Sequence, residues 1–307
     1  FSRASGDDGS ALTTARMACE SAQEHGRDRI VVYDECNQRV VRRYDVMQLV
    51  AEIQLALDGD EFELLAQPIV SLTDRNENIQ FEVLLRMADS DGKLIPTKAL
   101  FSAAERYRMM PHIDRWVVST AVGKLSEARE SVAGKDVTFS INLSGQSLGD
   151  DEILEFIEDE LEHRGVPASA LCFEITESAA VSNLDKAQAF IDRLRAQGCK
   201  ISLDDFGAGL SSFAYLKNFN VDNLKIDGGF IRDITENRIS ESMVAAITQV
   251  AKVMELKTVA EYVETEEARE LLVTLGVDYA QGHIVGKPVA IESVLADLTG
   301  YFRAQAQ

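Results

Sequence analysis

The chain has 307 residues, 46% of them hydrophobic and 27% charged. That balance belongs to a folded globular protein able to bury its own core, and it excludes collagen-like, low-complexity and wholly disordered chains. With 51 acidic and 31 basic residues the net charge is −20, which repels nucleic acid polymers and anionic membrane surfaces.

Residues 1–10 are rich in Gly, Ser and Asp and are expected to be frayed. Residues 11–26 have helical composition ending at Gly26, and 30–35 (IVVYDE) form a β-branched strand candidate. A further helix is expected over 44–58, stopping at Asp58-Gly59-Asp60. We place a boundary near the start of this helix, dividing 1–45 from a domain over 46–307. The chain starts at Phe1 rather than Met, so it is expected to be a fragment or a processed piece. The cysteines Cys19, Cys36, Cys172 and Cys199 lie far apart without a CxxC pair, which predicts reduced thiols in an intracellular protein. No apolar run reaches membrane-spanning length, and no contact with a membrane is expected from this chain.

From residue 62 short β-rich runs alternate with longer amphipathic ones. Strands are expected over 63–72, 80–87, 137–144, 171–178, 200–207, 223–230, 258–264 and 279–286. Helices are expected over 97–107, 113–129, 151–164, 184–197, 238–255 and 265–274. Several strands are apolar on both faces, as in LCFEIT, which suits parallel strands covered by helices. Eight strands in this pattern predict an α/β fold, an irregular (β/α)8 TIM-type barrel. The polar link TDRNENI between the first two strands is too short for a helical crossover, so one strand should be antiparallel. An open doubly wound sheet fits less well, because no Gly-rich phosphate loop follows the first strand.

Almost every expected strand carries a charged or amide residue among apolar neighbours: Glu82, Asn142, Glu174, Asp204 with Asp205, Lys225, Glu261 and Gln281. Barrel enzymes build their sites from such residues at the C-terminal mouth. Any one acid could belong to a structural ion pair, but five from four strands would repel strongly if they converge. Lys225 is the sole cation at that level, so divalent ions are expected to neutralise the remainder. Oxygen ligands favour magnesium or manganese over zinc, and no HExxH or clustered His/Cys set is present. Two such ions suit phosphodiester hydrolysis. Arg86 could hold a phosphate in a bidentate fork. The DDFGAGL segment (204–210) fits a mobile active-site loop, braced by Glu177.

These residues fall in ordered motifs: FEVLLR (81–86), NLS (142–144), EITES (174–178), DDFGAGLSS (204–212), LKID (224–227), AEYVET (260–265) and QGHIVGKP (281–288). In this order they resemble the EAL domain family of bacterial cyclic di-GMP phosphodiesterases, with Val83 in place of the name-giving Ala. The resemblance implies metal-dependent hydrolysis of cyclic di-GMP to linear pGpG. It places two Mg2+ or Mn2+ ions on Glu82, Asn142, Glu174, Asp204, Asp205 and Glu261. It implies Lys225 beside the attacking water and Glu177 anchoring the loop. Gln67, Arg86 and Gln281 become substrate contacts. Glu261, Lys225 or a hydroxide between the metals could serve as base; the hydroxide is favoured, oriented by Lys225. Tyr262, where Gly is common, and His283-Ile284-Val285 depart from the pattern without removing a ligand. The segment over 11–34 resembles the C-terminal tail of a GGDEF domain, which implies upstream GGDEF and sensory segments. A homodimer and a cytoplasmic setting, with a parent that could be membrane-tethered, are further expectations. The alternative is a catalytically silent cyclic di-GMP receptor.

Overall fold

The computed structural model describes residues 38–73, 79–89, 91–132, 136–209 and 215–298. The helix and strand expected over 11–35, Cys19, Cys36, and Ser211 and Ser212 lie outside them. A helix at Gln38–Gly59 leads into the strands β1 (Glu63–Ser71), β2 (Ile79–Arg86), β3 (Val137–Leu143) and β4 (Leu171–Thr176). These continue as β5 (Lys200–Phe206), β6 (Asn223–Ile226), β7 (Lys257–Ala260) and β8 (Tyr279–Gln281). β2 to β8 pair in parallel and in sequence order. β1 runs antiparallel to both β2 and β8 and closes the ring. This is the irregular (β/α)8 barrel expected from the sequence. A short β9 (Val289–Ala290) continues along β1 where β8 leaves off.

Helices occupy the crossovers because the intervening runs are amphipathic with good caps. Asp151–Arg164 begins where Asp150 accepts from the Glu152 amide at 3.0 Å, and it stops at Gly165 in the left-handed region. Asn183 caps the helix Leu184–Gln197 in the same manner. The last three barrel strands are shorter than the sequence suggests. After β6, Asp227 accepts from the Gly229 amide at 2.9 Å and turns the chain into a one-turn helix, Gly228–Ile231, rather than a longer strand.

Strand alternation sorts the side chains into two layers. Phe81, Phe139, Phe173, Ile141, Ile201 and Leu203 pack outward against helix residues such as Val118, Val122, Ile157, Phe190 and Ile247 in one buried core. Inside the barrel a separate apolar plug of Ile69, Val259 and Tyr279 fills part of the lumen. Elsewhere the lumen is polar: Lys200 on β5 reaches past β4 to donate to Thr138 on β3 at 3.0 Å. The single tryptophan, Trp116, donates to Asp60 at 2.6 Å and packs edge-on to Phe62, tying the exit of the leading helix to the barrel. Among the described residues no helix is long and apolar enough to cross a membrane.

One glycine fixes the mouth. The Val263 amide donates to the Gln281 carbonyl at 2.9 Å, which brings the two chains so close that a β-carbon on Gly282 would lie 2.0 Å from the Val263 carbonyl oxygen. Backbone cannot yield as a flexible side chain does. Gly282→Ala is expected to destabilise the fold by about 3 kcal/mol in urea unfolding. An unchanged midpoint would mean the mouth is looser than this packing requires.

Candidate active site at the barrel mouth

The parallel register gathers the polar residues. Gln67 on β1 pairs directly with Glu82 on β2, Asn142 on β3 with Glu174 on β4, and Thr176 with Asp204 on β5. Lys225 lies on β6, Glu261 directly follows β7, and Gln281 ends β8. At this end of the barrel the inward side chains are therefore almost all polar.

Lys225 is the hub. Its Nζ lies 2.6 Å from Glu174 Oε2, 2.8 Å from Glu261 Oε1, and 3.3 Å from both Glu82 Oε2 and Asp204 Oδ1. The lysine side chain is 1% exposed. Burial opposes its charge, but Asp204, Glu174, Glu261 and Glu82 outweigh that and hold it well above its ordinary pKa. One ammonium cannot balance four carboxylates, and the acids respond differently. Burial raises Glu82, but Lys225 and hydrogen bonds from Gln281 Nε2 at 2.6 Å and Asn142 Nδ2 at 2.7 Å hold it below the usual range. Glu174 is driven well up by burial, against Lys225, with Glu82 and Asp204 adding to the rise. Glu261 is pushed up to about 8 by burial together with Asp204 and Glu82, against the pull of Lys225.

Asp204 and Asp205 are sequence neighbours, and a regular strand would point them to opposite faces. The β5–β6 register breaks between Leu203 and Phe206, and Asp205 adopts a left-handed φ of 54°. This turn lets carboxylate oxygens of Asp204, Asp205 and Glu261 lie within 4.8 Å of one another, a candidate metal site. Burial, then Asp204 and Asp227, raise the Asp205 pKa. The chemistry of the donors fits a hard divalent cation. Asp204 Oδ1 and Gln281 Oε1 are buried yet accept no hydrogen bond; the Lys225 ammonium faces Asp204 Oδ1 without hydrogen-bond geometry. Such orphaned acceptors are costly unless a cation satisfies them. Glu82, Asp204, Asp205 and Glu261 open on a cleft of about 400 Å³ with Gln67, Arg86 and Gln281 on its walls. Glu174 and Lys225 lie buried in the same network of acids.

Glu177 ties the β5 loop from beneath. It accepts from the Gly207 amide at 2.8 Å and from the Tyr215 hydroxyl. Gln67 donates to the Gly286 carbonyl at 3.0 Å and accepts from Gln281 at 3.2 Å. Sequence reasoning missed Asp114, which is buried on the helix Met110–Glu127. Its Oδ2 accepts from the Ser144 amide at 3.0 Å and from the Ser144 and Ser147 hydroxyls at 2.6 Å each, clamping the loop just after Asn142. The signal was present: an acid among Ile113, Val117 and Val118 on the helix's apolar face. Cys172 and Cys199 are buried, and burial raises both thiol pKa values, Cys199 to about 12, so neither is a nucleophile.

A closed barrel with clustered carboxylates at its C-terminal mouth is the architecture of a metal-site barrel protein. The chain belongs to the EAL domain family, whose model matches residues 50–288. Cyclic di-GMP phosphodiesterase PdeB of Shewanella oneidensis is 35% identical over 282 residues, covering 92% of this chain and 33% of the relative. Cyclic di-GMP phosphodiesterase PdeF of Escherichia coli is 37% identical over 254 residues, 83% of this chain and 33% of the relative. The chain thus spans about a third of the length of these curated relatives. Among solved structures, the PaMucR phosphodiesterase in complex with cyclic di-GMP matches with a TM-score of 0.75 at 31% identity, over 80% of this chain and 99% of that one. The Pseudomonas aeruginosa FimX EAL domain bound to cyclic di-GMP matches with a TM-score of 0.71 at 28% identity, over 78% and 96%.

Two outcomes follow from the charge balance. With its pKa near 8, Glu261 carries a proton at neutral pH without metal, and a coordinating carboxylate must lose it. Mn2+ titrated into the protein at pH 7 should release at least about one proton, from Glu261 and from Glu174, whose pKa burial also raises, read by calorimetry in buffers of different ionisation enthalpy, and affinity should rise with pH towards about 8. Binding without proton release would contradict this ionisation. Lys225→Met removes the shared counter-charge and should cost about 3–5 kcal/mol in EDTA, partly restored by divalent cation. Equal stability of variant and wild type in EDTA would mean the lysine does not hold the acids together.

Proposed function

We propose that this chain hydrolyses cyclic di-GMP to linear pGpG with two Mg2+ or Mn2+ ions at the barrel mouth. The observation that carries this reading is the convergence of Glu82, Asp204, Asp205 and Glu261 on one cleft, where buried oxygens of Asp204 and Gln281 accept no hydrogen bond. The names of the relatives and the ligands of the neighbouring structures support it.

In this reading Glu82, Asn142, Glu174, Asp204, Asp205 and Glu261 hold the ions. When bound, the ions would act as Lewis acids on the phosphoryl oxygens and lower the pKa of the attacking water. The protein's own side chains do the rest. Before metal binds, the surrounding acids raise the Lys225 pKa well above the ordinary value and keep it cationic. Its role is to orient the nucleophile and to hold negative charge. Without metal, burial and the neighbouring acids raise Glu261 to about 8, and as a ligand it would give that proton up. Arg86 on the cleft wall provides planar N–H donors for a phosphate. Gln67 and Gln281 also line the cleft, joined by a hydrogen bond, and Glu177 positions the β5 loop through Gly207 and Tyr215. The same reading includes a homodimer, a cytoplasmic setting, and upstream GGDEF and sensory segments suggested by residues 11–34.

The test is incubation with cyclic di-GMP in Mg2+, Mn2+ or EDTA, followed by chromatography of the products. The expected result is pGpG in the presence of metal and none in EDTA. Binding without product in either metal would instead identify a silent receptor, and turnover in EDTA would remove the metal from the mechanism. Glu82→Ala should lower turnover by at least about a hundredfold while retaining the fold; full activity would place the site elsewhere.

A further inference from the structure

Tyr262 directly follows Glu261 and is held in a backbone conformation that an aromatic residue seldom adopts, with φ at 53°. Left-handed backbone at a bulky residue is unfavourable and persists only when surrounding contacts impose it. The contacts that impose it come from one short segment. A β-carbon on Gly228 would lie 2.2 Å from Tyr262 Cδ2, so the ring rests directly on the glycine backbone. The guanidinium carbon of Arg232, four residues further along, stands 4.1 Å from the ring centroid, within cation–π range. Yet the ring is not buried by these contacts. Tyr262 remains 50% exposed and lines the same cleft as Glu82, Asp204, Asp205 and Glu261.

A large aromatic ring fixed at unfavourable backbone angles, braced from one segment and exposed at a reaction cleft, is poorly accounted for by packing. The cleft floor supplies carboxylates and the walls supply Arg86, Gln67 and Gln281, all suited to phosphate, sugar or metal. Tyr262 supplies a broad apolar face, which suits the π-surface of a nucleobase. We propose that Tyr262, electrostatically primed by Arg232, is a stacking platform for one purine base of the dinucleotide and sets the preference for purine over pyrimidine ligands. This rests on the reading of the cleft as a cyclic di-GMP site and adds to it a specificity-determining residue. Gly228 is then required at its position because any side chain there would displace the ring.

The experiment compares wild type, Tyr262→Phe and Tyr262→Ala in steady-state hydrolysis of cyclic di-GMP, with cyclic di-UMP as a competitive inhibitor. Tyr262→Phe keeps the ring and should behave as wild type. Tyr262→Ala should raise KM for cyclic di-GMP about tenfold with little change in kcat. The Ki for cyclic di-UMP should change much less, so the purine preference narrows. A purely structural role would weaken both ligands alike or lower kcat, and either pattern overturns the assignment. An unchanged KM in Tyr262→Ala, with normal wild-type turnover, overturns the assignment alone. Failure of the wild type itself to bind or hydrolyse cyclic di-GMP removes the underlying reading and the assignment with it.

Discussion

The structure turns on one buried ammonium facing three buried carboxylates and a fourth, Glu261, that is partly buried. Removing so many charges from water is tolerable only if each finds a partner, and Lys225 touches Glu82, Glu174, Asp204 and Glu261 at once. The barrel makes this possible, because its parallel register carries inward side chains of successive strands to one level. The deficit of positive charge that remains is the property a divalent cation would exploit. A site neutral in the absence of metal would have no electrostatic reason to bind one, and an uncompensated one would protonate or unfold.

The rest of the mouth serves this cluster. Against burial, Lys225, and then Gln281 and Asn142 donating to the two Glu82 oxygens, hold the Glu82 pKa below the usual range. Asp114 fixes the loop that carries Asn142 onward, and Glu177 fixes the loop that follows Asp205. These supports are on helices and strand ends, so the acids are held by the rigid part of the fold. The apolar plug of Ile69, Val259 and Tyr279 lies within the same barrel and keeps its interior filled.

Much of this was legible in the sequence. Strand positions followed from short apolar runs with polar ends, and the antiparallel first strand followed from a link too short for a helix. The acids, Lys225 and the amides stood out because a charged residue inside an apolar run is costly to bury unless it meets a partner or serves a site. What was not legible depends on departures from regular geometry. The register break at Asp205 has no signature distinct from an ordinary strand end, yet it brings two adjacent acids to one side. The truncation of β6 depended on Asp227 capping a helical turn. Asp114 was passed over because an acid on a helix is usually solvated, although its neighbours on that face are apolar. Composition and strand pattern also assign neutralisation mainly to metals, whereas Lys225 gathers four of the acids directly.

The central claim is that this charge-deficient cluster binds divalent cations at the mouth. Electron paramagnetic resonance of Mn2+ titrated into the protein counts bound ions directly. The account predicts saturable occupancy near two ions per chain, lost in a variant carrying Asp204→Asn and Asp205→Asn. Weak, non-saturating binding that is the same in that variant would contradict it.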